Sequence, residues 1–331
     1  MTKIFCGQPE DLVAVIRLLK EGRVVAVPTE TVYGLAADAL NPAACRRIFA
    51  LKGRPLIDPL IVHVRDGEAA ASLAQLNRAA RRLMRAFWPG PLTIVLPKKP
   101  LVPDVVTASL PSVALRCPAH PLLRRILTDG DLALAAPSAN PFAYLSPTSA
   151  RHVLDCLGDK IEYLLDGGPC EVGLESTIVD LRRETVPRLL RPGVITPEML
   201  AETLGAPLAT EGGDTDNPSI PEISAPGQMP KHYSPSTPLS LFPAGGVPQE
   251  NLAGNTALVF LKKPSRPFDS LAVQNIFWLT EQGDLPTAAR NLFPLLHTLD
   301  AKGFEHIAVE KAPAPGIGLA INDRLTRAAR R

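Results

Sequence analysis

The stretch from Pro207 to Pro238 limits what this chain can fold into more than any other feature. Pro207, Pro218, Pro221, Pro226, Pro230, Pro235 and Pro238 punctuate it, with Gly212, Gly213 and Gly227 between them. It has few aliphatic residues and no hydrophobic period. Proline removes a backbone donor and glycine resists a fixed conformation, so neither helix nor central strand can run through it. It therefore reads as a linker at 207–237, between a larger unit at 1–206 and a smaller one at 238–331. Proline is high throughout, 35 of 331 residues, about twice the usual share.

The remaining composition is that of an ordinary globular chain: 46% hydrophobic, 21% charged and a net charge of +2. Bulk charge announces neither a nucleic-acid nor a membrane partner. With aromatics at 5%, a stacking platform for single strands is not expected. Cys6, Cys45, Cys117, Cys156 and Cys170 are scattered and form no CxxC pair, so we expect buried thiols in a reduced, cytoplasmic protein rather than a zinc site or disulfides. No apolar run approaches the ~18 residues of a membrane span, and no apolar leader opens the chain.

Periodicity predicts helices at 9–21, 41–51, 77–87, 121–127, 148–156 and 197–204. Strands are predicted at 23–28, 60–64, 92–96, 113–116, 132–136, 163–166, 177–181 and 186–190. Asn41-Pro42 is a capped helix start. Many strands with few hairpin signals predict an open, mixed α/β sheet. Beyond the linker, strands at 239–242, 257–261, 276–279 and 306–310 and helices at 286–299 and 319–329 predict a small Rossmann-like α/β unit.

Standard phosphate loops are missing: there is no GxxxxGK[ST] and no GxGxxG after a strand. Instead, polar clusters stand at the ends of apolar strands, where α/β sheets bind ligands. They are Pro28-Thr29-Glu30-Thr31-Val32-Tyr33-Gly34-Leu35, Lys52-Gly53-Arg54-Pro55, Ser112-Val113-Ala114-Leu115-Arg116, Ala136-Pro137-Ser138-Ala139-Asn140, Glu175-Ser176-Thr177-Ile178-Val179-Asp180 and Leu190-Arg191-Pro192-Gly193. Their lysine and arginines suit anions, and the arginine forks suit planar carboxylate or phosphate. For any single serine, turn chemistry is an equally good reading. His63, inside a strand pattern, would ordinarily be a satisfied core histidine.

In combination these strings resemble the threonylcarbamoyl-AMP synthase family, with its YrdC-type domain. The segment from Ala225 to Pro235 resembles the linker of that family's longer, two-domain branch. The resemblance implies a YrdC-like twisted sheet followed by a smaller Rossmann-like domain. It implies synthesis of threonylcarbamoyl-AMP and pyrophosphate from L-threonine, bicarbonate or CO2, and ATP with Mg2+. The product would pass to a transferase that modifies tRNA. The resemblance assigns Arg54, Asp58, Ser112, Ser138, Asn140, Ser146, Arg191 and Tyr233 to ATP, and Thr31, Tyr33, His63, Arg116, Ala136 and Ser176 to L-threonine. Lys52 and Arg54 become the catalytic cations, with Lys52 facing phosphate or bicarbonate, and no protein metal ligands are implied. Asp58 stands where the family usually has asparagine, Ser112 where threonine is usual, and 141–145 lacks the glycine often found there. Asp58 puts a negative charge near phosphate.

No covalent nucleophile is visible, so positioning and electrostatics must carry the chemistry. Length beyond mere reach, together with Lys231, His232 and Tyr233 in a row, reads as a lid over a nucleotide. Two other readings fit part of the pattern: a non-catalytic RNA-binding module, using the arginines of 78–85, and a carbamoyltransferase, whose relatives carry additional domains.

Overall fold

The computed structural model describes residues 1–209, 232–246, 255–264 and 275–330. Most of the expected linker, including 211–217 and Lys231, lies outside the described residues.

Ten strands form one mixed sheet: β1 (Lys3–Phe5), β2 (Val25–Val27), β3 (Gly34–Asp38), β4 (Ile61–His63), β5 (Leu92–Pro97), β6 (Ser112–Arg116), β7 (Leu134–Ala135), β8 (Tyr163–Leu165), β9 (Thr177–Asp180) and β10 (Arg188–Arg191). Their spatial order is β1-β8-β2-β3-β7-β4-β6-β5-β9-β10. Parallel pairs (β2 with β8, β4 with β6, β5 with β9) are mixed with antiparallel ones (β2 with β3, β5 with β6). The sheet is the mixed one that the sequence predicts. Four further strands, β11 (Leu239–Phe242), β12 (Thr256–Lys262), β13 (Ile276–Thr280) and β14 (His306–Glu310), make a separate parallel sheet in the order β11-β14-β12-β13.

Four elements of the first sheet unit went unread in the sequence, among them the four-residue helix Asp104–Thr107. β1 is a three-residue strand, too short to show a period. β3 is built around small alanines directly after the polar cluster at 28–33 and lacks the branched side chains that mark a strand. The helix Gly67–Leu73 is alanine-rich and short, started by Asp66, which accepts from the Ala69 amide.

Local chemistry sets the elements that carry the polar clusters. Asn41 Oδ1 accepts from the Ala43 and Ala44 amides, and Pro42 fills the first turn of helix Pro42–Lys52. That helix stops at Gly53, whose φ of 63° favours a residue without Cβ. Arg54 is thereby turned back toward the strand ends. The largest apolar cluster lies against one face of the sheet, with Leu35, Val62, Ile94, Leu115 and Val179 facing Ile48, Leu83 and Val153. A second cluster covers the other face, between Leu12, Leu19 and Ile126.

The two sheet units share a core. Val32, Leu145 and Leu174 pack in one cluster with Tyr233, Leu292, Phe293 and Leu296. Gly173 has a φ of +78°, and a Cβ there would come within 2.4 Å of Arg290 Cα on helix Leu285–Ala301. Only glycine permits that approach.

Candidate functional site

His63 ends β4 and Arg116 ends β6, and the two are register partners in a parallel pair. Ser176 stands just before β9, Arg191 ends β10 and Ser138 follows β7. The sheet's topology thus converges these positions on one pocket. Its walls include Thr31, Arg54, Ile61, His63, Arg116, Ala136, Ser138, Glu175, Ser176, Arg191, His232 and Tyr233. Residues separated by up to two hundred positions in the chain meet there.

Arginines line the pocket while almost out of water. Arg116 Nη2 pairs with Glu30 at 2.6 Å. Arg54 Nη2 pairs with Asp58 at 2.8 Å and also donates to Pro59 O, while its Nε donates to Asp58 O. Arg191 donates from Nε to Ser176 O and from Nη2 to Ser176 Oγ. Burial holds Arg54 and Arg191 below the ordinary arginine range. Desolvated cations of this kind favour a bound anion. Burial works in the opposite sense on Asp58 and raises its carboxyl, although Arg54 and Lys52 pull it down.

Several buried polar atoms have no partner among the described residues: both ring nitrogens of His63, Arg116 Nε, the Tyr233 hydroxyl and His232 Nδ1. Burial first, and the neighbouring Arg116 second, push His63 down to about 3. The ring is therefore neutral at working pH and offers one donor and one acceptor. Orphaned polar atoms lining a cavity are what a polar ligand would satisfy.

Not every expected residue reaches this pocket. The Lys52 ammonium donates to Ser138 O, Asn140 O and Asn140 Oδ1, so its three protons all fall on the 138–140 loop. It anchors that loop rather than lining the pocket. Burial, and then Arg54, drive its pKa well below the usual lysine range. Asn140 Nδ2 closes the same loop onto Tyr144 O at 2.7 Å. Tyr33 Oη donates to Gly168 O and accepts from Gly167 N, bracing the segment after β8. Asp58 is occupied by Arg54, and Ser146 Oγ donates to Glu175. Ser112 begins β6, four residues and about 13 Å of extended chain from Arg116.

Three charged residues at or beside the pocket are not among the expected site residues. Glu30 and Glu175 sit inside the quoted polar strings, where each is buried and paired with an arginine. Arg324 is in none of them. It lies on the far helix Ile317–Ala328, yet its Nε pairs with Glu175 at 2.6 Å.

Comparison with known proteins follows the same division. Residues 17–193 match the family described as Telomere recombination, which groups Sua5, YciO and YrdC sequences. Residues 195–330 match the family described as Threonylcarbamoyl-AMP synthase, C-terminal domain. The threonylcarbamoyl-AMP synthase of Pyrococcus abyssi is 38% identical over 94% of this chain and 91% of its own length. That of Bacillus subtilis is also 38% identical, with the same two coverages. The crystal structure of P. abyssi Sua5 complexed with L-threonine superposes with a TM-score of 0.87 at 34% identity, covering 99% of this chain and 98% of the other.

Proposed function

We propose, since this chain belongs to the threonylcarbamoyl-AMP synthase family, that it makes threonylcarbamoyl-AMP and pyrophosphate from L-threonine, bicarbonate or CO2, and ATP. One observation carries the reading. Three buried arginines, Arg116 and Arg191 from strand ends and Arg54 from the turn after a helix, face one pocket, beside the unsatisfied ring of a neutral histidine. That set suits a zwitterion and a polyphosphate held together.

In this reading the threonine carboxylate takes Arg116, which Glu30 holds in place. The threonine hydroxyl meets His63 and Ser176, and its methyl rests on Ile61 and Ala136. Thr31, whose hydroxyl is tied to Thr29, shapes the floor. Arg54 and Arg191 take phosphate oxygens, with Ser138 beside them. Lys52 acts through the loop it anchors, and Asn140, Ser146 and Ser112 support the nucleotide side. ATP would bring Mg2+ on its own phosphates: among the described residues no cluster of three His, Cys, Asp or Glu could hold an ion.

The chemistry needs no covalent enzyme intermediate. The threonine amine adds to bicarbonate, forming the C–N bond of a carbamate and releasing water. A carbamate oxygen then attacks the α-phosphorus, and the bond to the pyrophosphate oxygen breaks. The arginines stabilise charge that moves from the α-phosphorus onto pyrophosphate. His232 and Tyr233, buried over the pocket, would close it against water that hydrolyses both labile species. We read the chain as a catalytic unit at 1–206, a lid-forming linker at 207–237 and a C-terminal unit at 238–331. It would work in the cytoplasm and hand its product to a tRNA-modifying transferase. None of the helices in the described residues is long and apolar enough to cross a membrane.

The test is pyrophosphate release with ATP and Mg2+, omitting threonine or bicarbonate in turn. Release should require both. Release that ignores threonine would refute the assignment.

A further inference from the structure

Arg324 is the largest fully buried side chain among the described residues, and it belongs to the C-terminal unit. One of its two carboxylate partners lies in the other unit. Nε donates to Glu175 Oε2 at 2.6 Å and Nη2 to Glu175 O at 3.4 Å, and Nη1 pairs with Asp323 at 2.6 Å. The guanidinium sits 5.2 Å from the centre of the Tyr233 ring. Glu175 and Tyr233 both line the pocket. The other carboxylate oxygen of Glu175 accepts from Ser146 Oγ.

Docking alone does not call for this arrangement. The apolar cluster around Leu292, Phe293 and Leu296 already joins the two units. A buried ion pair replaced by well-packed apolar groups is often as stable or more so. What the pair does change is the charge of the pocket wall. Glu175 is a carboxylate in a pocket that otherwise gathers cations for anionic substrates. Left unpaired, it would repel phosphate in a medium that screens poorly.

We propose that Arg324 is a positioning residue of the nucleotide site, supplied by the C-terminal unit, which neutralises Glu175 and holds it and Tyr233 in place at the pocket wall. The inference rests on the reading of the pocket as an ATP site. It gives the C-terminal unit a part in binding beyond packing: without it, the site would carry an uncompensated negative charge.

The sign of the response separates this role from structural glue. In the full chain, Arg324→Met should raise the KM for ATP at least tenfold and change kcat less than threefold. Glu175→Gln keeps the side chain's size and takes the negative charge off the pocket wall, while Arg324 keeps its pairing with Asp323, so it should lower the KM for ATP about threefold or more. The double variant should fall within threefold of the native chain. If Arg324 only glues the two units together, both single changes loosen the site, and the double is no better than the worse single. That result would overturn the inference, as would an unaltered KM in Arg324→Met. Should Arg324→Met fail to fold, Glu175→Gln decides alone: tighter ATP binding supports the inference, and weaker or unchanged binding refutes it. A native chain that releases no pyrophosphate with all three substrates would instead remove the underlying reading.

Discussion

Replacing Asp58 with asparagine should make the protein less stable yet a better ATP binder. Asp58 and Arg54 form an ion pair at 2.8 Å with almost no exposure on either side. At an effective dielectric constant near 20, unit charges about 4 Å apart attract by roughly 4 kcal/mol. Losing one partner of a buried pair usually costs about 3–5 kcal/mol. Here Arg54 would keep its carbonyl acceptors at Asp58 and Pro59, and the new amide oxygen could accept from it as well. The loss should therefore be smaller, about 2–3 kcal/mol. At about 2–4 °C per kcal/mol for domains of roughly this size, the melting temperature without ligand should fall by about 4–12 °C. ATP binding moves the other way. The removed charge would have opposed phosphate and tied up Arg54, so ATP affinity should rise several-fold. Scanning calorimetry without ligand and titration calorimetry with ATP measure the two effects. An unchanged melting temperature, or weaker ATP binding, would refute the assignment of Arg54 as a phosphate ligand held in check by Asp58.

Other consequences follow from the same geometry. Tyr33→Phe should cost about 1–3 kcal/mol of stability, because Gly167 N and Gly168 O lose their shared partner, while the KM for threonine stays unchanged; a large rise in that KM would return Tyr33 to the substrate. Gly173→Ala should loosen the two units, since its Cβ would collide with Arg290 and its φ is positive; faster proteolysis near the linker is the readout, and native resistance would contradict the packing. His63 is held neutral down to about 3 against an ordinary 6.5, so the unfolded chain binds the extra proton. Its contribution to stability is complete above pH 6.5 and is lost as pH falls toward 3. Between those values the native chain should lose about 1.4 kcal/mol per pH unit more than His63→Asn, measured by urea unfolding, and equal slopes would remove this explanation.

Most of the strand and helix plan was legible in the sequence because long apolar runs and capped starts carry their own signal. Asn41-Pro42 and the runs at 92–97 and 256–262 needed nothing from the rest of the chain. β1 and β3 did, since three residues or a run of alanines become a strand only when neighbours supply the ladder. The pocket was legible as a set of strand-end clusters, and His63, Arg116, Ser176 and Arg191 do converge there. The direction of each side chain was not. Lys52 and Arg54 are two residues apart, but one is fixed to the 138–140 loop and the other faces the pocket. A helix ending in a left-handed glycine between them separates their directions, and no string of letters displays that turn. Arg324 was wholly illegible, because its role comes from packing between units 149 residues apart in sequence.

The most direct test of the central claim is a structure of the full chain with L-threonine bound. The amino-acid carboxylate should lie on Arg116, with the hydroxyl within hydrogen-bond reach of His63 or Ser176. Threonine bound outside this pocket, or inside it with its carboxylate away from Arg116, would contradict the assignment.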